Sequence, residues 1–381
     1  MSKIAVIIPH QFVPPANGGH AAGYGFCEFL AKEREIVVIS TTNNPDLPLP
    51  FRLERLFSDR FYKYFSPLVG LRLYQFLKKE HITHCVIQQP FIGLLILPIV
   101  KLLNIRLLVY SHNIEYQRFQ TIGKWWWRFL WLVEWLLYRN ANAVLFISRD
   151  DMREAIPIFK LNPNRCFEMP YGTRYPSTPP GRDEARKIIT QRHQLDPQAF
   201  LILFFATHSY KPNTDALERI LDIINPILLQ KADFPYKILI CGGGLPERFN
   251  KLTAYQEKNI HYVGFVDKID EYIQACDVTL NPVITGGGVK TKMVEAIALG
   301  TPVISAKTGA KGVDPVACGD KLVILQDDDN QGFAAAILHL KSKYYMPTPA
   351  SFYKEYYWAN AIQPALKEMQ DTRHQMPDVP S

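Results

Sequence analysis

The sequence predicts an α/β protein made of two Rossmann-like, doubly wound domains that face each other across a cleft. Short β-branched runs alternate with longer helical patterns along the chain, which is typical of parallel sheets. A polar, proline-rich stretch at 171–183 interrupts this alternation once, and the pattern then restarts. The chain has 381 residues, which is longer than a single hydrophobic core usually grows.

Eleven apolar runs are the strand candidates, five before the interruption and six after it. The first set is Ile4–Ile8, Ile36–Ser40, Cys85–Gln88, Leu107–Tyr110 and Ala143–Ile147. The second set is Leu201–Phe205, Lys237–Cys241, Ile260–Val263, Val278–Leu280, Pro302–Ser305 and Leu322–Leu325. We therefore expect a first domain over 1–175, a linker over 176–190 and a second domain over 191–348. A helix in the final segment, 349–381, is expected to cross back to the first domain.

The composition excludes several classes of protein. With 48% hydrophobic and 21% charged residues, the chain can build a sizeable core, which excludes a disordered or fibrous protein. The net charge of +7 suits anionic phosphates or an anionic membrane surface, and it requires no nucleic-acid partner, so none is expected. The six cysteines occur singly, without a CxxC pair, which is typical of reduced core residues in a cytoplasmic protein.

Two further features favour a location inside the cell. The N-terminus passes directly into the first strand candidate, without the longer apolar stretch and cleavage site of a signal peptide. The longest apolar stretch, Phe91–Tyr110, is interrupted by Pro98 and by charged and polar residues. We interpret it as a helix, a turn and a buried strand, and not as a membrane span.

Two turns at the carboxyl ends of first-domain strands are candidate ligand sites. Gly18 and Gly19 follow the first strand and precede a helical run, so the backbone can approach a ligand closely there. A tight turn without a ligand has the same pattern. Ser111, His112 and Asn113 follow another buried strand, and His112 is the strongest histidine candidate of the predicted cleft. The same trio also fits a helix start with Asn113 as its cap.

The strongest pattern lies in the second domain, in LNPVITGGGVKTKMVEAIALGTPVIS. Gly286, Gly287 and Gly288 follow a strand and precede a predicted helix at 289–299. Glycines leave the backbone N–H groups accessible to a ligand, and a helix N-terminus carries partial positive charge. The combination favours a phosphate-binding site.

The same helix carries charged candidates. Lys290 and Lys292 add two positive charges at its N-terminus. Glu295 lies three residues after Lys292, on the same helical face, where a carboxylate can accept hydrogen bonds from ribose hydroxyls. An ordinary surface ion pair between Lys292 and Glu295 is the alternative interpretation.

Two more strand ends in the second domain have small or basic turns. His208 and Lys211 follow the strand in ILFFATHSYK, and Gly242 and Gly243 follow the strand in KILICGGG. Because the carboxyl ends of parallel strands meet at one edge of a sheet, we expect these turns to surround one nucleotide together with the glycine run.

These segments resemble the retaining GT-B glycosyltransferases of the large family 4, and the resemblance covers almost the whole chain. Its most specific blocks are GFVDKIDEYIQACDVTLNPV and GGGVKTKMVEAIALGTPVIS. The resemblance implies a hexosyltransferase-like enzyme with a GT-B fold, an acceptor-binding first domain and a second domain that binds a nucleotide-sugar donor. It also implies bacterial cell-envelope or exopolysaccharide synthesis as the process served.

The resemblance further implies roles for individual residues. Glu295 matches the second glutamate of a Glu-x7-Glu signature and would hold the donor ribose. Val266 lies in the turn that would contact the base through its backbone, and His112 matches a residue that touches the donor sugar. We expect His112, Lys292 and Glu295 to be catalytic. The residues expected to bind the donor are Gly18, Gly19, His208, Lys211, Gly242, Gly243, Val266, Gly286, Gly287, Gly288 and Lys290.

The sequence departs from the family signature in two places. Gly287 stands where the first glutamate of Glu-x7-Glu is expected, so the usual carboxylate contact to the donor hexose is missing. The turn after FFA lacks the arginine and lysine that the family often uses for the pyrophosphate, so Lys211, Lys290 and Lys292 are the expected substitutes. These departures bear on the identity of the donor.

No metal site and no cofactor are expected. No DxD-like pair lies near the proposed diphosphate site, and the run Asp327–Asp329 is typical of a solvated loop. Lysines and helix dipoles would then neutralise the leaving diphosphate, and the nucleotide sugar would be a substrate.

Two segments bear on the acceptor. Five of the six tryptophans lie in KWWWRFLWLVEWLLYRN, at positions 125, 126, 127, 131 and 135. A buried core helix and a membrane-facing helix both fit 124–139, because tryptophan also favours membrane interfaces. Basic and aromatic residues at 51–79 favour a peripheral contact with the inner face of a membrane. A glycan or lipid-linked acceptor would then be consistent.

Three alternatives remain at this stage. A catalytically silent pair of GT-B lobes that only binds a nucleotide or a partner protein is favoured by Gly287. A sugar-nucleotide 2-epimerase uses a similar fold but needs more acid and base groups than His112 and Glu295 supply. A nicotinamide dehydrogenase lacks its GxGxxG fingerprint here.

Overall fold

The computed structural model describes residues 3–342 and 347–370. These residues form two compact units, one of residues 3–172 with 358–370 and one of residues 173–342 with 347–357. Each unit contains one sheet of parallel strands with helices in the connections. The predicted pair of Rossmann-like α/β domains is confirmed.

The first unit has a seven-stranded sheet. Its strands are β1 (Ile4–Ile7), β2 (Ile36–Thr41), β3 (Arg52–Phe57), β4 (His84–Gln88), β5 (Arg106–Ser111), β6 (Ala143–Phe146) and β7 (Cys166–Glu168). They are all parallel, in the order β3-β2-β1-β4-β5-β6-β7. The chain leaves β1 and β4 toward opposite edges of the sheet. The point between the carboxyl ends of these two strands is where open α/β sheets bind ligands.

Helices connect the strands of the first unit. They are α1 (Gly18–Glu33), α2 (Pro67–Lys79), α3 (Gly93–Leu102), α4 (Glu115–Thr121), α5 (Trp127–Asn140) and α6 (Arg149–Phe159), with short 3₁₀ turns at Phe61–Tyr64, Pro90–Ile92 and Pro163–Arg165. Asn17 caps α1 and Ser148 caps α6 through side-chain oxygens that accept a backbone N–H group. The stretch 91–110 is a helix, a turn and a strand, as predicted.

The second unit has a six-stranded sheet. Its strands are β8 (Phe200–Phe205), β9 (Tyr236–Cys241), β10 (Ile260–Gly264), β11 (Val278–Asn281), β12 (Val303–Ala306) and β13 (Leu322–Leu325). They are all parallel, in the order β10-β9-β8-β11-β12-β13. The connections from β8 and β11 run to opposite edges, so the ligand-binding point of this sheet lies between those two strands.

The helices of the second unit follow the same alternation. They are α7 (Arg182–Arg192), α8 (Lys211–Arg219), α9 (Asn225–Lys231), α10 (Ile269–Ala275), α11 (Thr291–Ala298), α12 (Pro315–Cys318), α13 (Asn330–Ser342) and α14 (Ala350–Tyr356). A π turn at Ile220–Ile224 joins α8 to α9, and a 3₁₀ turn occurs at Gly319–Lys321. The segment Glu247–Lys258 is a run of 3₁₀ turns that three residues with left-handed backbone angles interrupt.

All eleven predicted strands are present, within one or two residues at their ends. Nine of them are apolar runs whose side chains are almost entirely buried, whereas β10 and β13, at the two edges of the second sheet, are largely half-buried. Two further strands, β3 and β7, occupy the two edges of the first sheet. β3 mixes charged with apolar residues, most of them half-buried, and β7 is only three residues long. Edge strands of this kind lack the continuous apolar run that identifies a central strand.

The structure differs from the predicted linker. Helix α7 begins at Arg182, inside the range 176–190, and it belongs to the second unit. Arg182 and Arg186 both donate hydrogen bonds to the Asp277 carboxylate, at 2.8 and 3.0 Å. The helix is therefore anchored beside β11, and only the proline-rich part before it is irregular.

The final segment passes from the second unit to the first after Tyr357. Instead of one long helix, it contains α14 and two shorter helices, α15 (Trp358–Ala361) and α16 (Gln363–Glu368). Trp358 packs against Gly25 and Gly172, where any larger side chain would collide with the indole ring. Residues 371–381, which the prediction included, lie outside the described part. No described helix is both long and apolar enough to span a membrane.

Candidate functional site

The predicted donor-site residues of the second unit lie mostly at the carboxyl ends of its strands. His208 follows β8, Gly242 and Gly243 follow β9, Val266 follows β10, and the three glycines follow β11. The turns after β8, β9 and β11 contact one another through the contacts described below. The structure therefore builds one loop cluster around the point where the sheet topology places a ligand.

The glycine run is held in place by a lysine. Gly286 and Gly288 have φ angles of +83° and +75°, which favour glycine. The Lys290 ammonium donates hydrogen bonds to the carbonyl oxygens of Gly286, Gly287 and Gly288, at 3.2, 3.1 and 2.9 Å. Helix α11 starts at Thr291, two residues later than predicted. Lys290 therefore stabilises the loop as well as adding positive charge beside it.

Lys292 is the most unusual side chain of the cluster. Its Nζ atom is buried and has no hydrogen-bond partner among the described residues, and it lies 4.9 Å from the centre of the Phe204 ring. Burial, with a smaller contribution from the positive charge of Lys290, lowers the pKa of Lys292 to about 7. A buried ammonium without an anion is costly, so the arrangement is prepared for a negatively charged ligand.

His208 contributes a neutral imidazole to the same cluster. It is fully buried, its Nε2 atom lies 3.2 Å from the Cys241 carbonyl oxygen, and its backbone N–H group donates to the Gly243 carbonyl oxygen at 2.9 Å. Desolvation lowers the pKa of His208 to about 4. If Nε2 donates to Cys241, then Nδ1, which has no partner among the described residues, is an acceptor.

The turn after β9 requires glycine for a steric reason. Gly242 has a φ of +127°, and a Cβ atom there would overlap the Ala206 carbonyl oxygen. A Cβ atom on Gly243 would lie 3.8 Å from the side chain of Phe265, which is 75% exposed and precedes the half-buried Val266. Sequence reasoning missed Phe265, although an aromatic residue next to Val266 was a usable signal.

The remaining predicted residues of this unit differ in their surroundings. Lys211 is 83% exposed and donates to both oxygens of Asp215, at 2.9 and 2.8 Å, in an i, i+4 ion pair. Glu295 is half-buried on α11, three residues after Lys292. At Gly287, the position that a Cβ atom would occupy is surrounded by open space. The Lys211 ammonium thus forms an ion pair at the surface, whereas Glu295 lies on the helix that carries Lys292.

In the first unit, Gly18 and Gly19 are the first two residues of α1. The Asn17 side chain accepts a hydrogen bond from the His20 backbone N–H group at 3.0 Å, and so caps the helix. The imidazole rings of His10 and His20 lie 5.6 Å apart. Burial lowers the pKa of His10 to about 4, so these rings do not carry full positive charge near neutral pH.

His112 lies at the carboxyl end of β5 and is only 5% exposed. Neither ring nitrogen has a partner among the described residues, and the ring packs at 4.4 Å against that of Tyr110. Burial lowers the pKa of His112 to about 3, and the charge of His10 adds to the effect. His112 is therefore a neutral hydrogen-bonding group and not a cation.

Two buried side chains near this position were missed. Gln88 is the last residue of β4, and Tyr110 is the last but one of β5. Both are fully buried, and their amide and hydroxyl groups have no partner among the described residues. The Gln88 Oε1 atom lies close to Gly23 of α1, at 2.9 Å from the position of a Cβ atom there. Buried polar groups are normally hydrogen-bonded, so these groups suit a polar ligand or water.

A buried carboxylate fixes the segment that carries His112. Glu134 of α5 accepts hydrogen bonds from the backbone N–H groups of Glu115 and Tyr116, at 2.8 and 2.9 Å, and from the Tyr138 hydroxyl at 3.1 Å. Burial raises the pKa of Glu134 to about 8. The residue caps α4, three residues after His112, and so positions the preceding turn.

Among residues 3–342 and 347–370, no three His, Cys, Asp or Glu side chains are arranged to hold a metal ion. The second unit thus offers cations and glycine turns to a ligand, and the first unit offers neutral polar groups.

Comparison with known protein families gives one match in each unit. A family model described as Glycosyl transferases group 1 matches residues 199–343, and one described as Glycosyltransferase Family 4 matches residues 17–173. Together the two matches cover most of the chain, one in each unit. No curated protein sequence matches the chain by sequence search.

Solved structures resemble the chain along nearly its full length. Sucrose-phosphate synthase from Thermosynechococcus elongatus is 17% identical, with a TM-score of 0.69 over 96% of this chain and 98% of that one. HepE of Anabaena, in complex with UDP, is 14% identical, with a TM-score of 0.71 over 96% and 99%. WaaG, a glycosyltransferase involved in lipopolysaccharide biosynthesis, is 14% identical, with a TM-score of 0.64 over 97% and 96%. At these identities the likeness shows the fold, which is GT-B.

Proposed function

Since the chain belongs to the group 1, family 4 glycosyltransferases, we propose that it moves a sugar from a nucleoside-diphosphate-sugar to a glycan or lipid-linked acceptor. The proposed transfer retains the anomeric configuration and uses no metal ion. The proposed setting is bacterial cell-envelope or exopolysaccharide synthesis at the inner face of a membrane.

The observation that carries this proposal is the buried, unpartnered ammonium of Lys292. It lies in the first turn of a helix that follows three glycines, in a loop cluster at the topological switch point of the sheet. A diphosphate supplies the missing negative charge, and the backbone N–H groups of such turns suit its oxygens. A neutral ligand such as a free sugar would leave the ammonium uncompensated.

Two of the similar structures support the choice of substrates. HepE binds UDP, so uridine nucleotides are the first donors to test for this chain. WaaG acts in lipopolysaccharide synthesis, which supports a glycan or lipid-linked acceptor.

In the proposed reaction, the bond between the anomeric carbon and the β-phosphate oxygen breaks, and its electron pair stays on the diphosphate. Lys292 and the α11 N-terminus stabilise the growing negative charge. The acceptor hydroxyl then adds to the same face of the anomeric carbon, and its proton passes to the leaving phosphate. Glu295 is proposed to accept hydrogen bonds from the ribose hydroxyls.

The first unit contributes uncharged groups to this proposal. His112 is neutral near pH 7 because its pKa is lowered to about 3 by burial, and Gln88 and Tyr110 are neutral as well. Such groups can donate to and accept from sugar hydroxyls without attracting a second phosphate.

A panel of nucleotide sugars, screened by thermal shift and then by turnover, tests the function. We expect one nucleotide family to raise the melting temperature, because a ligand that binds only the folded protein stabilises it by mass action. The bound donor should then be transferred or slowly hydrolysed in the presence of EDTA.

Two outcomes would contradict the proposal. The protein could bind a nucleoside diphosphate but show neither transfer nor hydrolysis with every acceptor class tried. That result would favour the catalytically silent binding protein, the alternative suggested by Gly287 in place of the expected glutamate. Loss of turnover in EDTA with recovery in manganese would contradict the metal-independent mechanism.

A further inference from the structure

One side of the first unit carries an exposed apolar surface. Among the described residues, nine of the eighteen exposed large hydrophobic side chains lie in two short segments, 61–71 and 122–132. We call these nine the aromatic surface. They are Phe61, Tyr62, Phe65, Leu68, Leu71, Ile122, Trp125, Phe129 and Leu132. Isolated exposed hydrophobics are ordinary, but a contiguous group of this kind marks an interaction surface.

The two segments meet in the folded unit. The rings of Phe61 and Phe65 lie 5.6 Å apart, and Phe65 lies 6.1 Å from Phe129 of α5. Helix α2, which presents Leu68 and Leu71, packs on α3, and α3 packs on α5. The two segments of the aromatic surface therefore meet at Phe65 and Phe129, although they are some sixty residues apart in sequence.

The structure separates the tryptophans that fit a core helix from the one that does not. Trp131 and Trp135 are half-buried and pack against the hydrophobic core of the unit. Trp125, by contrast, is 87% exposed. The core therefore accounts for Trp131 and Trp135, and it does not account for Trp125.

The charge around this surface has one sign. The sequence contains no Asp or Glu between Asp59 and Glu80, or between Glu115 and Glu134. Six exposed cations in these intervals have no carboxylate within ion-pair distance among the described residues, whereas Lys63 and Arg118 do. Two of the six, Lys78 and Lys79, lie at the end of α2, and we call the other four the basic rim. They are Arg60, Arg72, Lys124 and Arg128.

We propose that the aromatic surface and the basic rim dock the first unit onto an anionic lipid membrane. Aromatic side chains favour the boundary between headgroups and acyl chains, and unpaired cations favour anionic headgroups. A protein partner of ordinary composition would meet these cations with a desolvation cost unless it carried matching carboxylates. The inference deepens the proposed function, because it names the surface from which a lipid-linked acceptor would be reached.

Sedimentation with vesicles tests the docking on the full-length protein, without nucleotide. Phosphatidylcholine vesicles are compared with mixed phosphatidylcholine and phosphatidylglycerol vesicles at physiological ionic strength. We expect binding only to the anionic vesicles, with affinity that falls as sodium chloride is raised, because the contribution of each cation is screened by salt.

Matched variants locate the surface. Replacing all four residues of the basic rim by Gln should lower the vesicle partition constant by up to about 600-fold, since each cation near an anionic surface is worth about fivefold. The control carries four Lys→Gln changes at exposed positions of the second unit, namely Lys231, Lys251, Lys258 and Lys307, and should bind within about twofold of the parent.

A second pair of variants tests the apolar part. Trp125→Ser should lower the partition constant about tenfold, because an exposed tryptophan inserts a large apolar area. Val316→Ser, at an 83% exposed position of the second unit, should change nothing. Circular dichroism and the thermal shift given by a nucleotide should be the same in all four variants, which separates loss of docking from loss of fold.

The outcomes distinguish this inference from the proposed function. Equal binding to neutral and anionic vesicles, no binding at all, or equal losses in the matched controls would overturn the docking surface. A concentration-dependent dimer that Phe129→Ser abolishes would assign the surface to a second copy of this chain and also overturn it. A protein that binds vesicles but no nucleotide sugar would overturn the proposed function and leave the membrane surface standing.

Discussion

The two sheets of this protein share one plan but present different chemistry at their ligand-binding edges. In the second unit, Lys290 and Lys292 flank a glycine-rich helix start. In the first unit, the corresponding edge carries His112, Gln88 and Tyr110, none of which is charged near neutral pH. The fold fixes where a ligand can bind, and the turn residues decide whether it is an anion or a neutral hydroxyl-rich group.

The two edges also differ in what burial costs them. Both bury polar atoms that have no partner among the described residues. A neutral amide or imidazole left unpaired costs a few kcal/mol at most, whereas a desolvated ammonium costs more and responds by losing its proton. Lys292 therefore depends on its ligand more strongly than His112 does, and the following predictions test this difference.

The largest expected effect is that of removing the Lys292 ammonium. Lys292→Ala should lower kcat by roughly 30- to 1000-fold, and more than it raises the donor KM, because the charge on the diphosphate grows in the transition state. Lys211→Ala, which removes an exposed ammonium paired with Asp215, is the matched control and should stay within about twofold.

The same steady-state kinetics distinguish the roles of Lys290 and Lys292. Lys290→Ala should have a smaller effect than Lys292→Ala, because its amine already binds the glycine carbonyl oxygens. If the Lys290→Ala, Lys292→Ala double variant kept kcat within about twofold of the parent, the site assignment would be wrong.

The next effect concerns the backbone of the loop cluster. Gly242→Ala should lower the melting temperature by roughly 4 to 8 °C, since a Cβ atom there overlaps the Ala206 carbonyl oxygen and the φ of +127° strains any other residue. Gly287→Ala, with open space and no positive φ, should leave it unchanged or raise it slightly. Thermal unfolding followed by circular dichroism measures both, and equal effects would contradict the loop geometry.

A third test compares the two edges by pH. Burial lowers the pKa of Lys292 to about 7, so the free protein loses this charge as the pH rises above about 7, and binding of an anion must then take up a proton. We expect the affinity for a UDP-sugar, which has no proton to lose in this range, to fall by up to about tenfold per pH unit toward about pH 9.

His112 should add no such dependence. Its pKa is lowered to about 3, so the ring stays neutral from about pH 5 upward. Calorimetry on the parent and on Lys292→Met measures the difference. A pH dependence that persists in Lys292→Met would show that a group other than Lys292 controls binding.

The smallest expected effect is that of Glu295→Gln. The carboxylate is half-buried on α11, and we expect the amide to weaken nucleoside diphosphate binding by about tenfold without affecting the fold, because one charged acceptor of a ribose hydrogen bond is replaced by a neutral one. Calorimetric titration with UDP checks it, and an unchanged affinity would remove Glu295 from the site.

The central strands and glycine turns could be predicted from sequence because each is a local pattern. β8 and β11 are continuous apolar runs, and the glycines before α11 are visible as such. The exposed edge strand β3 was missed, since its pairing with β2 and not its own residues makes it a strand. The start of α7 was missed because the proline-rich stretch before it obscured the helix pattern.

The different roles of Lys290 and Lys292 could not be predicted from their spacing. Both precede or begin the same helix, and only the structure shows that Lys292 lies over Phe204, far away in sequence, while Lys290 turns back to the glycine carbonyls. Glu134 was likewise hidden in the tryptophan-rich helix, because its partners are backbone groups of a different segment. Burial and long-range contacts are tertiary properties that a local pattern does not contain.

The central claim is that the buried Lys292 ammonium binds an anionic ligand. Its most direct test is an NMR titration of the Lys292 side chain, whose signals are assigned by comparison with Lys292→Arg. The account predicts a pKa of about 7 in the free protein, and a rise of roughly two units or more when UDP is bound, because the diphosphate favours the charged form. A pKa near that of an exposed lysine in the free protein, or one that UDP does not change, would contradict it.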